Sequence, residues 1–189
     1  MSIAGIDYSL RCPAICIFTG NGKKAFSFRD CLFFYLTDIQ KYAKPFLKNI
    51  NGDSSSSYSD ECERYDSISS WACDKLVGCD QVALEGYAYG AKGRVFHIAE
   101  NTGILKYKIF QRGIPLDVIT PSKVKKFATG KGNASKTDMY AAFLEEVGID
   151  LHQIITPDKT DVSNPVTDII DAYYICKHLY YDVTNRTCD

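Results

Sequence analysis

A chain of 189 residues with 46% hydrophobic and 24% charged positions has the composition of an ordinary soluble globular protein and suffices for one sizeable core. The net charge of −1 excludes a global cationic signature of nucleic-acid binding, although one positive face would be enough for a nuclease. No apolar run approaches the ~18 residues of a membrane span and no leader peptide precedes Ile3, so membrane insertion and secretion lack support. The eight cysteines include only one short spacing, Cys12–Cys16, which is not a metal knuckle. Reduced thiols in a cytoplasmic protein, one domain over 1–189, are the expectation.

In chain order, residues 2–8 read as a buried strand that ends on a carboxylate. Residues 12–19 form a second strand, and Asn21-Gly22 predicts a hairpin turn into 24–29. A further short strand is expected near 31–36, and tight connections make this meander antiparallel. The Ser-rich segment 51–60 reads as a mobile surface loop. Tyr65, Ile68, Ala72 and Leu76 place an amphipathic helix over 61–77, and 80–85 is a buried strand ending on Glu85. Helical spacing through Phe96, Ala99, Ile104, Tyr107 and Phe110 predicts a helix over 94–112, closed by Gly113. A strand at 115–120, a short helix opened by Pro121, a glycine-rich loop at 129–134 and a helix capped by Ser135 follow. A long loop with Pro157 and Pro165 leads to a last helix over about 166–181. A meander followed by alternating strands and helices defines a mixed-sheet α/β domain.

Four acids stand out by position. Asp7 and Glu85 each end an apolar strand, and Asp168 and Asp171 share one face of the last helix. Such acids can hold hard divalent ions for phosphodiester hydrolysis, because Mg²⁺ takes oxygen ligands. The plainer reading is that strand-end acids serve turns and that acids near a helix start favour its dipole. Against it, uncompensated buried charge is expensive. Spacing alone leaves both readings open.

The segments Gly5-Ile6-Asp7-Tyr8-Ser9-Leu10, Ala83-Leu84-Glu85-Gly86-Tyr87-Ala88-Tyr89 and Asp168-Ile169-Ile170-Asp171-Ala172 resemble the three acidic motifs of the RuvC-type Holliday junction resolvases. Residues 119–126 and 129–136 are similar to that family's basic segment, and the order holds across nearly the whole chain. The likeness is closer to phage members than to the bacterial enzymes. It implies an RNase H-like fold, a mixed five-stranded sheet flanked by helices. It implies catalysis by Asp7, Glu85, Asp168 and Asp171 with two Mg²⁺ ions, for which Mn²⁺ would substitute. It also implies a homodimer joined along 94–112 and acting on four-way and other branched DNA, in the host cytoplasm if the chain is phage-encoded. Two departures are Tyr8 where bacterial members usually carry Pro, and Ser9 where they carry Gly. The 51–60 segment looks like an insertion.

Lys123, Lys125, Lys126, Lys131 and Lys136, with Lys92 and Arg94, form the expected positive band beside the acids. The resemblance singles out Lys125 and Lys136. It also gives the loop after Glu85, with Tyr87 and Tyr89, a base-stacking role. Gly130 and Gly132 would let backbone amides approach a phosphate, but the stretch is not an ATP-type loop, so no nucleotide cofactor is expected. His97, His152 and His178 read as structural. An RNase H-type or flap-type nuclease, or a non-catalytic DNA-binding accessory, would share the fold.

Overall fold

The computed structural model describes residues 1–20, 25–87 and 95–186. The first strand, β1 (Ser2–Asp7), pairs antiparallel with β2 (Ala14–Thr19), and β2 pairs antiparallel with β3 (Cys31–Thr37). Two further strands, β6 (Gln81–Glu85) and β7 (Leu116–Ile119), extend the sheet in parallel on the other side of β1. Beyond β3 lie β5 (Ile50–Ser54), parallel to it, and the two-residue β4 (Pro45–Phe46) at the edge. The order is β4-β5-β3-β2-β1-β6-β7, so the expected mixed sheet has seven strands where five were expected.

The two extra strands come from residues that look unfit for a sheet. Asn51-Gly52-Asp53-Ser54, expected as the start of a mobile loop, is held as a strand by its neighbours. Trp71 Nε1 donates to Asp53 Oδ2 at 2.8 Å, Lys75 Nζ pairs with the same oxygen at 2.9 Å, and Gln40 Nε2 donates to Ser54 Oγ at 2.7 Å. Gly52 is required there, since a Cβ would lie 2.5 Å from the carbonyl oxygen of Tyr42 and 2.6 Å from the Tyr35 ring. Residues 25–29 do not form the expected hairpin strand; a 3₁₀ turn at Phe28–Asp30, capped by Ser27, leads directly into β3. The turn residues 21–24 lie outside the described residues.

Helices cover both faces, which is why the central strands are continuously apolar. On one face α1 (Glu61–Lys75) and α2 (Val95–Gln111) bury Ile68, Ala72, Leu105 and Ile109 against Ala4, Ile6, Ile15 and Leu84. On the other, α4 (Lys136–Val147), the short α5 (Leu151–Ile155) and α6 (Val166–Arg186) meet Ile3, Cys16, Phe18 and Phe33. The short α3 (Pro121–Thr129) precedes α4, whose capping box pairs Ser135 with Asp138. The five-residue α5, capped by Asp150, forms within the segment expected to be a long loop before the last helix.

The packing of α6 on β1 sets the geometry of everything that follows. A Cβ at Gly5 would collide with the Cys176 backbone nitrogen and fall 2.7 Å from the Ala172 carbonyl oxygen. Only glycine lets the helix lie this close, two residues before Asp7 and one after Asp171. Gly5→Ala is expected to destabilise the fold by about 3 kcal/mol, the upper range for overpacking, because backbone atoms cannot step aside like a side-chain tip. A urea midpoint within error of wild type would refute the close-packing argument.

Candidate active site

Strands β1 and β6 are parallel neighbours, with Ile6 level with Leu84. Asp7 and Glu85 therefore leave the sheet side by side at the same rim. The third and sixth residues of α6, Asp168 and Asp171, reach that rim from the helix laid across Gly5. The chain thus brings together all four acids that the sequence singled out. Asp168 is buried, with 4% of its surface exposed, while the other three are partly covered.

Their electrostatics show that they share one space. Burial pushes the Asp7 carboxyl well above the ordinary range, and the charges of Asp168, Asp171 and Glu85 push it further. Glu85 is raised to about 7 by burial and by Asp171, and Asp168 to about 7 by burial with Asp171 adding. Asp171 is raised by burial to about 6. Lys136 opposes the rise at all four positions, and Lys125 does so at Glu85 and Asp171. The Lys136 ammonium lies 3.4 Å from Thr167 Oγ1, beside Asp168.

A cluster of acids with raised proton affinity calls for a cation or for protons. Asp168 Oδ2 is buried without a hydrogen-bond partner, an orphan acceptor of the kind a cation satisfies. An all-carboxylate donor set suits Mg²⁺ or Mn²⁺. Among the described residues no three such groups stand together as a ready-made metal cage.

The sign of the pH effect follows. These acids hold protons more tightly in the folded chain than their ordinary values of 3.8 and 4.5 allow in the unfolded one. Their contribution to stability is complete below the ordinary carboxylate range and is lost as pH rises through about 6 to 7. In chelator, the Tm should fall between pH 5 and pH 8, and added Mg²⁺ should raise it more at pH 8. A Tm that Mg²⁺ leaves untouched at both pH values would count against a cation site.

Of the expected DNA-binding residues, Lys125 and Lys136 join the acids. Lys123, Lys126 and Lys131 are exposed on α3 and the loop after it. Tyr87 is 45% exposed beside a cavity that reaches Glu85; its hydroxyl donates to Ala99 O at 3.3 Å, and the Lys106 ammonium sits 5.1 Å from its ring centre. Tyr89, Lys92 and Arg94 lie outside the described residues. Gly130 has a different job from the one expected. Its positive φ of 78° ends α3, and its amide donates to Lys126 O rather than facing outward. The histidines have local partners: His97 meets Tyr65, His152 meets Thr156, and His178 meets Asp182.

Residues that sequence reasoning missed also border the centre. Thr167 Oγ1 donates to Asn164 Oδ1 at 2.7 Å and lies 3.2 Å from Asp168 Oδ1. Lys159, bound to Ser163 Oγ and Asn164 O, adds positive charge that lowers the pKa of Asp168. The only hint of them was their place just before the last acidic motif.

This geometry defines a fold class: a mixed-sheet α/β domain of the RNase H-like type, with acids at two parallel strand ends and on a crossing helix. Solved structures that share it are junction resolvases. Thermus thermophilus RuvC superposes with a TM-score of 0.64 at 18% identity, covering 98% of this chain and 97% of that one. The Fowlpox virus resolvase, solved with substrate Holliday junction DNA, gives 0.52 at 14% identity, covering 97% and 99%. By sequence, the crossover junction endodeoxyribonuclease RuvC of Corynebacterium diphtheriae is 33% identical over 88 residues, which is 46% of this chain and 53% of that protein. The aligned stretch thus spans about half of that curated relative. No family model matches the chain. The chain is thus similar to RuvC-type Holliday junction resolvases in fold and, over the 88 aligned residues, in sequence.

Proposed function

We propose that the protein is a structure-specific endodeoxyribonuclease that cuts four-way junctions and other branched DNA as a homodimer. The observation that carries this reading is the convergence of Asp7, Glu85, Asp168 and Asp171 on one rim, within the field of Lys125 and Lys136. These four acids would hold a pair of divalent ions, Mg²⁺ with Mn²⁺ as substitute, which when bound supply a hydroxide nucleophile and neutralise the charge that builds on the leaving oxygen. Asp7 feels the charges of all three other acids, which supports giving it the central role in the set. Lys136 and Lys125 offset the negative charge of the acids and draw a phosphodiester towards them. Lys123, Lys126 and Lys131 extend that positive face along the DNA backbone without reading sequence. Tyr87 presents an exposed ring beside Glu85, placed to stack on a base at the open centre of a junction. Tyr89, Lys92 and Arg94 follow Tyr87 in the sequence and are proposed to contact the same DNA.

The homodimer rests on α2. Its inner face is buried on α1, while Phe96, Tyr107 and Phe110 on the outer face are 82%, 60% and 76% exposed. Their spacing of eleven and three residues lines them up on one stripe, an apolar ridge that a second copy would cover. Two sites related by a two-fold axis match the near two-fold symmetry of a four-way junction. Among the described residues no helix is long and apolar enough to cross a membrane, which is compatible with the cytoplasmic location this reading proposes.

Incubating the protein in Mg²⁺ with labelled four-way junction, flap, duplex and RNA–DNA hybrid tests the proposal. Paired symmetric cuts confined to the branched substrates are expected. Preference for the hybrid would establish an RNase H-type enzyme, and binding without any cutting would establish an accessory protein.

A further inference from the structure

Two neighbouring cavities of about 380 and 240 Å³ share Leu10, Arg11 and Arg64. The first opens beside the acid centre, between Tyr8 and Asn164. The second runs outward past Asp38, Ser55, Ser56 and Tyr58, so its outer wall is the Ser-rich segment after β5. Together they form a trough that runs from Tyr8 and Asn164, beside the acid centre, to the Ser-rich segment after β5, and neither cavity is lined by Lys123, Lys125 or Lys136.

Its two arginines do different things. Arg64 is fixed: Nε and Nη2 both donate to the Leu10 carbonyl, at 3.1 and 2.5 Å, and its side chain is only 18% exposed. It also approaches Glu61 at 3.8 Å, so its charge is partly matched. By clamping Leu10 it sets the turn that carries Arg11. The Arg11 side chain is 73% exposed and meets Asp38 at 2.6 Å, whose own side chain is 44% exposed. An ion pair this open to water holds its partners weakly. A guanidinium prefers the bidentate fit of a phosphate where one is offered.

We propose that this trough is a second phosphodiester-binding track, in which Arg11 leaves Asp38 for a backbone phosphate of a DNA strand running outward from the acid centre along Ser55 and Ser56. Asp38 is then a competitor that keeps Arg11 oriented when no DNA is bound, and the Ser-rich segment is a low-charge wall that lets a polyanion pass. The inference rests on the proposed nuclease function, since it gives that site a second contact with its substrate.

Opposite signs make the test. Binding of a fluorescent four-way junction would be measured by anisotropy in chelator over a series of salt concentrations, for wild type and three variants. Arg11→Ala should weaken binding about tenfold and reduce the salt slope of log K by roughly one. Asp38→Asn should tighten binding about threefold, because the competing carboxylate is gone. Ser56→Asp, at an exposed wall position, should weaken it. A purely structural Arg11–Asp38 tie would make Arg11→Ala and Asp38→Asn shift affinity in the same direction, or not at all, and either result overturns the track. Should Arg11→Ala fail to fold, Asp38→Asn and Ser56→Asp still decide by their opposite shifts. Wild type that binds junction and duplex equally and cuts neither would sink the nuclease reading, whereas the track is judged by each variant's ratio to wild type on whatever DNA is held. Wild type that binds no DNA overturns both.

Discussion

Asp7→Asn is expected to abolish cleavage of a four-way junction in Mg²⁺, with a loss of at least about a thousandfold, while junction binding in chelator stays near wild type. The substitution keeps the shape of the side chain but removes the charge that faces Glu85, Asp168 and Asp171 together. Losing an ion that supplies several kcal/mol of transition-state stabilisation corresponds to a rate factor of about a thousand. Misfolding is excluded by a second expected result of opposite sign. Asp7 carries an acid whose ionisation is opposed by burial and by three like charges, so its neutral isostere should raise the Tm of the metal-free protein at pH 8. A variant that is more stable without metal and inactive with it identifies a functional acid. Undiminished cutting by a pure preparation would falsify the assignment.

Phe96→Asp combined with Phe110→Asp is expected to give a monomer that nicks junctions without coordinating the second cut. Both side chains lie on the ridge that α2 turns away from the core, so the fold itself loses little. In a two-fold seam each charge would be buried without a partner, at a cost of about 3 kcal/mol or more. That corresponds to over a hundredfold in the dimer dissociation constant. Sedimentation velocity at micromolar concentration reads the assembly, and a supercoiled cruciform plasmid reads the cutting. A doubly substituted protein should give open circles where wild type gives linear product. Wild type that sediments as a monomer, free and with junction bound, would remove the seam.

Much of this was legible in the sequence because the informative signals were local. The runs Ile3-Ala4-Gly5-Ile6 and Val82-Ala83-Leu84 can be buried on both faces only as central strands, and the acid after each must then stand at a sheet rim. Ser135 marked the start of α4, and Gly113 the end of α2. The strand β5 was not legible, since Asn51, Asp53 and Ser54 favour turns. Their pairing depends on Trp71, Lys75 and Gln40, which lie 14 to 22 residues away from the groups they hold. The trough was hidden for the same reason: Arg11 and Arg64 are 53 residues apart, and only the Leu10 carbonyl between them reveals the connection. The acids were found because each follows a pattern of its own, whereas Asn164, Thr167 and Lys159 act through contacts that no periodicity encodes.

The way α6 crosses Gly5 also bears on how the chain folds. Asp7 and Asp168 are separated by 161 residues, so half of the acid set arrives with a helix far along the chain from the strand that receives it. Closing so large a loop is slow and is repaid only when the helix docks along β1 and β2. A partly folded chain can carry the β1–β3 meander and even Glu85 without owning a cation site. If the four acids bind divalent ions as proposed, ion binding would report the last stage of assembly, and refolding monitored by Mg²⁺ or Mn²⁺ uptake should lag behind the appearance of β-structure. On the proposed nuclease function, the chain would acquire its activity only once these distant parts have met.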